Sequence, residues 1–371
     1  MWQAEVAVDL DAVRANVAQL ARATHAEVMA VVKADGYGHG AVQAARAALA
    51  GGATWLGVCT LDEAAQLRDA GLTAPILAWL WMPGQAVANA IEQRVDLGVS
   101  NPGQLAAVVA AAESTGGSAR TQLKIDTGLS RGGAAAGDWQ TLLDLAAKAQ
   151  ADGAIEVVGL WSHLARADEP GHESIDRQLE AYSEALEAAR RAGITPQVRH
   201  LANSAALLTR PDTHFDLVRA GIAVYGLTPI EGVDFGLRRA MTARAKVIYA
   251  KRLPAGAGIS YGHTYVTQRP STVAVVPFGY ADGVPRHASG IGPVQINGVR
   301  HHIAGRVCMD QFVVDVGDAE VREGDEVVLF GPGDDGEPTV DDWARAVGTI
   351  NYEIVTRIGA ARIPRIHHGA V

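Results

Sequence analysis

Val31-Val32-Lys33-Ala34-Asp35-Gly36-Tyr37-Gly38-His39-Gly40 is the stretch on which the reading of this chain turns. Residues 26–32, ahead of the lysine, are short, mostly apolar and rich in valine, as in a strand buried on both faces. From Ala41 to Ala50 the chain is alanine-rich and free of proline, a helix by propensity, which Gly51-Gly52 would stop. Lys33 therefore stands at the carboxyl end of a strand, with Gly36, Gly38 and Gly40 following at alternate positions. Such a lysine has two readings. Its stem can pack while the ammonium snorkels to water. Alternatively, burial lowers its pKa and the amine forms a Schiff base.

The glycines let a backbone come close to a phosphate, and the next helix offers its amino end to an anion. Their spacing is not the Gly-x-Gly-x-x-Gly of a dinucleotide site, and the chain has no Walker A pattern. A lysine beside a phosphate cradle points toward pyridoxal phosphate.

The 371 residues suffice for two domains with a large core. Lys and Arg number 32 against 41 Asp and Glu, a net charge of −9, which argues against a nucleic-acid binder. Cys59 and Cys308 lie far apart without metal-ligand spacing, so a reduced, cytoplasmic enzyme with both thiols buried is expected. The first residues lack the basic start and apolar core of a signal peptide. No run reaches the ~18–20 apolar residues of a membrane span.

Strand-like runs recur at 26–32, 55–59, 75–80, 96–99, 121–126, 155–163, 197–201 and 215–219. Helical segments fill most gaps, among them 61–70, 102–114 behind Asn101-Pro102, and 173–192 before Gly193. Eight alternating units predict a parallel (β/α)8 barrel over 11–235, ahead of a doubly wound open sheet. Residues 236–371 read as a mostly β domain, with strands at 246–250 and 271–276 and helices near 339–347 and 350–357. Residues 1–10 hold a strand expected to join that second domain. Asp341-Asp342 read as helix-cap residues, and the pairs His301-His302 and His367-His368 lack the spacing of a metal site.

In a barrel, the reacting groups belong at the carboxyl ends of the strands. Those positions hold Lys33, then Lys124 with Asp126 and Arg131, then His163, then Asn203-Ser204, then Arg219 with Gly221. Any one of them alone is as easily a cap or a satisfied core residue. Together they share one face.

At these residues the chain resembles the alanine racemases, which are pyridoxal phosphate enzymes. Residues 30–40 match the family's cofactor signature. So do His200-Leu201-Ala202-Asn203-Ser204-Ala205, residues 218–227 around Arg219, and Ile259-Ser260-Tyr261-Gly262. Gly279-Tyr280-Ala281-Asp282-Gly283, Gly305-Arg306-Val307-Cys308-Met309-Asp310 and residues 351–358 continue the match in register, from residue 5 to about 366.

The resemblance implies that Lys33 carries the cofactor as a Schiff base and is the base for D-alanine. Tyr261 matches the second base, although on local sequence alone it reads as an ordinary strand tyrosine. The family implies that it arrives from the partner subunit of a head-to-tail homodimer. Arg219 matches the arginine facing the pyridine nitrogen; being always charged, it keeps the ring unprotonated. A neutral ring is a weaker electron sink and so suppresses transamination. Ser204, Gly221 and Ile222, with the hydroxyls of Tyr37 and Tyr352, match phosphate ligands, and Asn203 lies near them. His163 matches the histidine beside the ring, while Trp161 reads as core. Arg131 matches the arginine touching the cofactor's phenolic oxygen and the substrate carboxylate. Lys124 matches a lysine carbamylated in many members. Met309, which the family implies comes from the other subunit, matches the residue whose amide binds the substrate carboxylate, with Asp310 in its neighbourhood.

Before Arg131 the family commonly has Asp-Thr-Gly-Met-Gly-Arg, whereas this chain has Leu129 and Ser130. The implied activity is interconversion of L- and D-alanine, supplying peptidoglycan. Tyr280 and Tyr352 narrow the entrance in favour of alanine over serine or lysine. A non-catalytic barrel that only carries the cofactor would need no second base or β domain. A decarboxylase relative would place a carboxylate, rather than Arg219, at the ring nitrogen.

Overall fold

The computed structural model describes residues 2–359 and 362–369. The chain divides into two compact units. One is built from Val13–Gly36 and Ala44–Leu237, the other from Met1–Ala12, Tyr37–Gln43 and Arg238–Val371.

After β1 (Ala4–Asp9) and α1 (Leu10–Arg22), eight short parallel strands form the first unit's sheet. They are β2 (Glu27–Val31), β3 (Trp55–Val58), β4 (Ile76–Ala78), β5 (Val95–Val99), β6 (Ala119–Lys124), β7 (Ile155–Trp161), β8 (Val198–His200) and β9 (Leu217–Ala220). Their order is β8-β7-β6-β5-β4-β3-β2-β9. The remaining gap is bridged where Asp216 N–H donates to Arg199 O and Arg219 N–H to Ala202 O, both at 3.0 Å. This is the (β/α)8 barrel expected.

The crossover helices are α2 (Ala41–Ala50), α3 (Leu61–Asp69), α4 (Val87–Glu92), α5 (Pro102–Thr115), α6 (Ala136–Ala151) and α7 (Glu173–Arg191), with a short α8 (Ser204–Thr209) before β9. Their ends follow local chemistry. Asn101 caps α5, Pro102 takes its first position, and Gly116 ends it in a left-handed conformation. Met29, Trp55, Leu77, Trp161, Val198 and Leu217, drawn from six of the strands, form one buried cluster.

In the second unit β1 pairs antiparallel with β10 (Met241–Lys246) and parallel with β19 (Arg365–His368). The six-stranded sheet also takes in β15 (Pro293–Ile296), β16 (Val299–His302) and β18 (Glu326–Phe330). A three-stranded sheet holds β11 (Tyr249–Leu253), β14 (Ser271–Val276) and β17 (Phe312–Gly317), and β12 (Gly258–Ile259) pairs with β13 (Tyr265–Val266). Two helices, α9 (Val340–Val347) and α10 (Asn351–Arg357), lie near the expected places. Thr339 and Asp342 form the capping box of α9.

Two expectations fail. The strand anticipated at 246–250 is instead a corner: β10 ends at Lys246, and Tyr249 begins a strand in the other sheet. Val247 N–H bonds Asp325 O at 2.9 Å and Ile248 N–H bonds Val275 O at 3.0 Å, so consecutive residues serve different neighbours. The two cysteines are half-buried rather than buried. Among the described residues, no helix is long and apolar enough to cross a membrane.

Candidate active site

The backbone after Lys33 does not continue as a strand or a loose glycine loop. Ala34 (φ 51°), Asp35 (φ 51°), Gly36 (φ 63°) and Tyr37 (φ 53°) make one left-handed turn. Left-handed conformation costs a non-glycine residue about 1–2 kcal/mol, so the turn persists only because its surroundings hold it. Glu63 is one such support: its carboxylate accepts from Ala34 N–H at 2.7 Å and from Cys59 N–H at 2.7 Å. Glu63 was not singled out in the sequence, although Thr60-Leu61-Asp62-Glu63 carries the capping-box pattern that marks it. Lys33 Nζ lies 5.8 Å from the centre of the Trp79 ring.

Arg219, at the end of β9, is buried. Nη1 reaches His200 Nδ1 (2.9 Å) and His200 O (3.1 Å). Nη2 reaches Ser162 O (2.8 Å), Leu201 O (3.0 Å) and His163 Nδ1 (3.1 Å). A guanidinium only donates, so both imidazoles present a bare Nδ1 to it and are neutral. Burial, with Arg219 next in effect, keeps the His163 and His200 pKa values well below the usual histidine value. Burial also draws Arg219 down to about 10, still charged at neutral pH. Its Nε has no hydrogen-bond acceptor among the described residues.

Three further cations act on His163: Arg131, Lys124 and Lys33. Trp161 is buried core, as read from the sequence, and it also seats cations. Lys124 Nζ is 4.4 Å and the Arg219 guanidinium carbon 5.1 Å from its ring. Burial, helped by Arg219 and Arg131, pushes Lys124 down to about 8.

Asp126, a carboxylate that acts on Lys124, is already engaged. It accepts from Gly128 N–H (2.9 Å) and Ser130 N–H (3.1 Å). Burial pushes its pKa up, but those amides outweigh it and hold the pKa below the usual range. Ser130 has φ 56°, a conformation glycine adopts freely, so this departure from the family's glycine strains the loop carrying Arg131. The Arg131 side chain is exposed. The carboxyl end of the barrel thus gathers Lys33, Lys124, Arg131 and Arg219 about a neutral histidine.

Ser204 is buried, and its Oγ accepts from Gly221 N–H at 2.8 Å and Ala223 N–H at 3.5 Å. Gly221 leads into a 3₁₀ turn, Ile222–Tyr225. The serine hydroxyl and these amides form one small polar patch. The Asn203 side chain caps α8 by accepting from Ala206 N–H at 3.1 Å.

The remaining candidates belong to the second unit, in two groups. Tyr37 and Tyr352 stand with ring centres 6.2 Å apart. Tyr261, Tyr280, Met309 and Asp310 gather around the 305–311 loop. Ser260 Oγ donates to Arg306 O at 2.6 Å, and Tyr280 N–H bonds Cys308 O at 3.0 Å. Gly279 is required there, since a Cβ on it would sit 2.1 Å from Met309 O. Asp310 pairs with Arg362 at 2.7 Å. Tyr261 and Met309 are exposed at 72% and 53%, large side chains without cover in the single chain.

Fold and site together define a barrel enzyme of amine chemistry, with a lysine and an anion-hungry cluster at the strand ends and a β domain behind it in sequence. Residues 8–229 match the alanine racemase N-terminal domain and residues 240–367 the alanine racemase C-terminal domain. An alanine racemase of Salinispora tropica is 64% identical over 100% of this chain and 99% of its own. One from Thermobifida fusca is 57% identical over 99% of both chains. The crystal structure of alanine racemase from a D-cycloserine-producing Streptomyces lavendulae superposes with a TM-score of 0.98 at 51% identity, covering 100% of this chain and 98% of its own. That from Bacillus anthracis with bound L-Ala-P gives 0.91 at 37%, covering 100% and 96%. The chain belongs to the alanine racemase family of isomerases.

Proposed function

We propose that this chain interconverts L- and D-alanine as a homodimer, with pyridoxal 5′-phosphate as cofactor and with Lys33 and Tyr261 as the two bases. The observation that carries this reading is the cluster of Lys33, Lys124, Arg131 and Arg219 about His163, in which Asp126, a carboxylate acting on Lys124, is engaged by backbone amides. That donor set fits a dianionic phosphate, a phenolate and a substrate carboxylate, and Arg219 Nε fits an unprotonated pyridine nitrogen.

When bound, the cofactor spreads the charge left on Cα as the α-proton departs. The chain's residues do the rest. Lys33 Nζ anchors the cofactor and moves the α-proton on one face, that of D-alanine. Tyr261 Oη, offered by the second copy, does so on the other face. Ser204, the amides of Gly221 and Ile222, and the hydroxyls of Tyr37 and Tyr352 hold the phosphate, with Asn203 fixing α8 beside it. His163, kept neutral, lies against the ring. Arg131 and, from the second copy, the Met309 amide hold the substrate carboxylate. Tyr280 narrows the entrance, and Asp310 steadies the loop through Arg362. The reading is of a cytoplasmic enzyme whose D-alanine feeds peptidoglycan.

The test is direct. Purified protein given pyridoxal phosphate and L-alanine should yield an equal mixture of enantiomers by chiral chromatography. Faster turnover of serine or lysine, or none of alanine, would refute the substrate assignment.

Lys124 has its own test. Its charged form is the one that burial penalises, so the amine is protonated below about pH 8 and neutral above it. Only the neutral amine combines with carbon dioxide. With labelled bicarbonate, a carbamate signal in 13C NMR should grow as pH rises through that value and vanish in Lys124→Arg. A signal that persisted in the variant would place the modification elsewhere. The carbamate is the anion that would hold Arg131.

A further inference from the structure

Beneath Arg219 the barrel interior holds polar side chains that the mechanism above leaves unused. Asp96 on β5, Gln122 on β6 and His200 on β8 have no exposed surface. The Asp96 carboxylate accepts from Arg120 Nε at 2.6 Å and from Gln122 Nε2 at 2.8 Å. With that end of the amide committed, Gln122 turns Oε1 to His200 Nε2 at 2.7 Å. An amide oxygen only accepts, so His200 Nε2 carries the ring proton. His200 Nδ1 is then the bare nitrogen that receives Arg219 Nη1 at 2.9 Å. Each donor and acceptor role follows from the carboxylate at the far end.

The fold makes room for this chain of bonds. Gly159 on β7 is the register partner of Gln122, and a Cβ on it would lie 2.6 Å from Gln122 Oε1. The β6–β7 register shifts immediately before Gln122. The Trp161 indole N–H donates to Gln122 O at 3.4 Å, and its ring stacks on His200, 5.6 Å between centres and 7° from parallel.

We propose that Gln122, oriented by Asp96, is a positioning residue for Arg219: it locks His200 in the Nε2–H tautomer, so that His200 holds Nη1 and leaves Nε for the cofactor. Only the last clause rests on the proposed function. A His200 protonated at Nδ1 would face Nη1–H donor to donor, and the guanidinium would turn away.

The test uses full-length, cofactor-loaded protein with 15N-labelled histidine, and long-range 1H–15N spectra of the imidazoles. Wild type should show His200 as a single Nε2–H tautomer. Gln122→Met keeps the side-chain length and removes the acceptor. It should give a mixture with Nδ1 protonated, together with a fall in kcat of about tenfold at little changed KM, the effect of losing one aligned hydrogen bond. Asp96→Asn should shift the tautomer the same way and decides the matter if Gln122→Met does not fold. An unchanged single tautomer in a folded variant overturns the proposal, and so does a changed tautomer with unchanged kcat. The tautomer is read without substrate, so a wild type that fails to racemise alanine would count against the proposed function alone.

Discussion

Lys33→Ala should cut alanine racemisation by about four orders of magnitude, the upper range for removing a positioned acid–base group, with loss of the cofactor's anchor adding to it. Tyr261→Phe should cost about 10²–10³-fold, because the ring still packs and only the proton-carrying hydroxyl is gone. The informative contrast is directional. In deuterium oxide, Tyr261→Phe should still wash deuterium into D-alanine while exchange into L-alanine collapses. Lys33→Ala should fail with both enantiomers. The physical basis is that a planar carbanion needs one proton carrier on each face, and one side chain cannot reach both. If both variants exchanged the α-hydrogen of each enantiomer at wild-type rates, the assignment of the two bases would be wrong.

Arg219→Leu has the second large expected effect, on fold and activity together. It strips the donor from Ser162 O, His200 O and Leu201 O and from the Nδ1 atoms of His163 and His200. An orphaned buried acceptor costs about 1–3 kcal/mol, and relief of a buried charge returns part of that. A net loss of about 3 kcal/mol is expected, read as a fall of several degrees in Tm. Activity should drop by about 10²–10³-fold, the effect of removing a preorganised donor. Arg219→Lys separates the two consequences. An ammonium restores the charge and some carbonyl bonds, so stability should recover in part. It cannot hold two histidines and three carbonyls while sparing a donor, so activity should stay low. Full activity in the lysine variant would mean that charge alone suffices.

Much of the site was legible because a barrel delivers the carboxyl ends of its strands to one face. Lys33, His163, Ser204 and Arg219 stand out as polar residues at or just past the ends of runs rich in Val, Leu and Ala, while Lys124 closes the more polar Arg120-Thr121-Gln122-Leu123. The turn after Lys33 was not. Ala34, Asp35 and Tyr37 have no intrinsic preference for positive φ, and the conformation is held in part by Glu63 from the next βα unit. The break at Val247-Ile248 was hidden for a similar reason. Both residues suit a strand, and only the presence of two sheets makes consecutive amides serve different partners.

The sequence by itself determined the alternation of strands and helices, the cap at Asn101, and the order of the polar strand ends. These depend on residue period, propensity and turn chemistry within a few positions. Tertiary structure alone decided that Asp96, Gln122, His200 and Arg219, separated by 26, 78 and 19 residues from one bonded partner to the next, meet inside the barrel. It likewise decided that Arg219 Nε has no acceptor among the described residues. Strand periodicity tells which residues alternate, but only closure of the sheet tells which face is enclosed and which distant side chains must satisfy one another there.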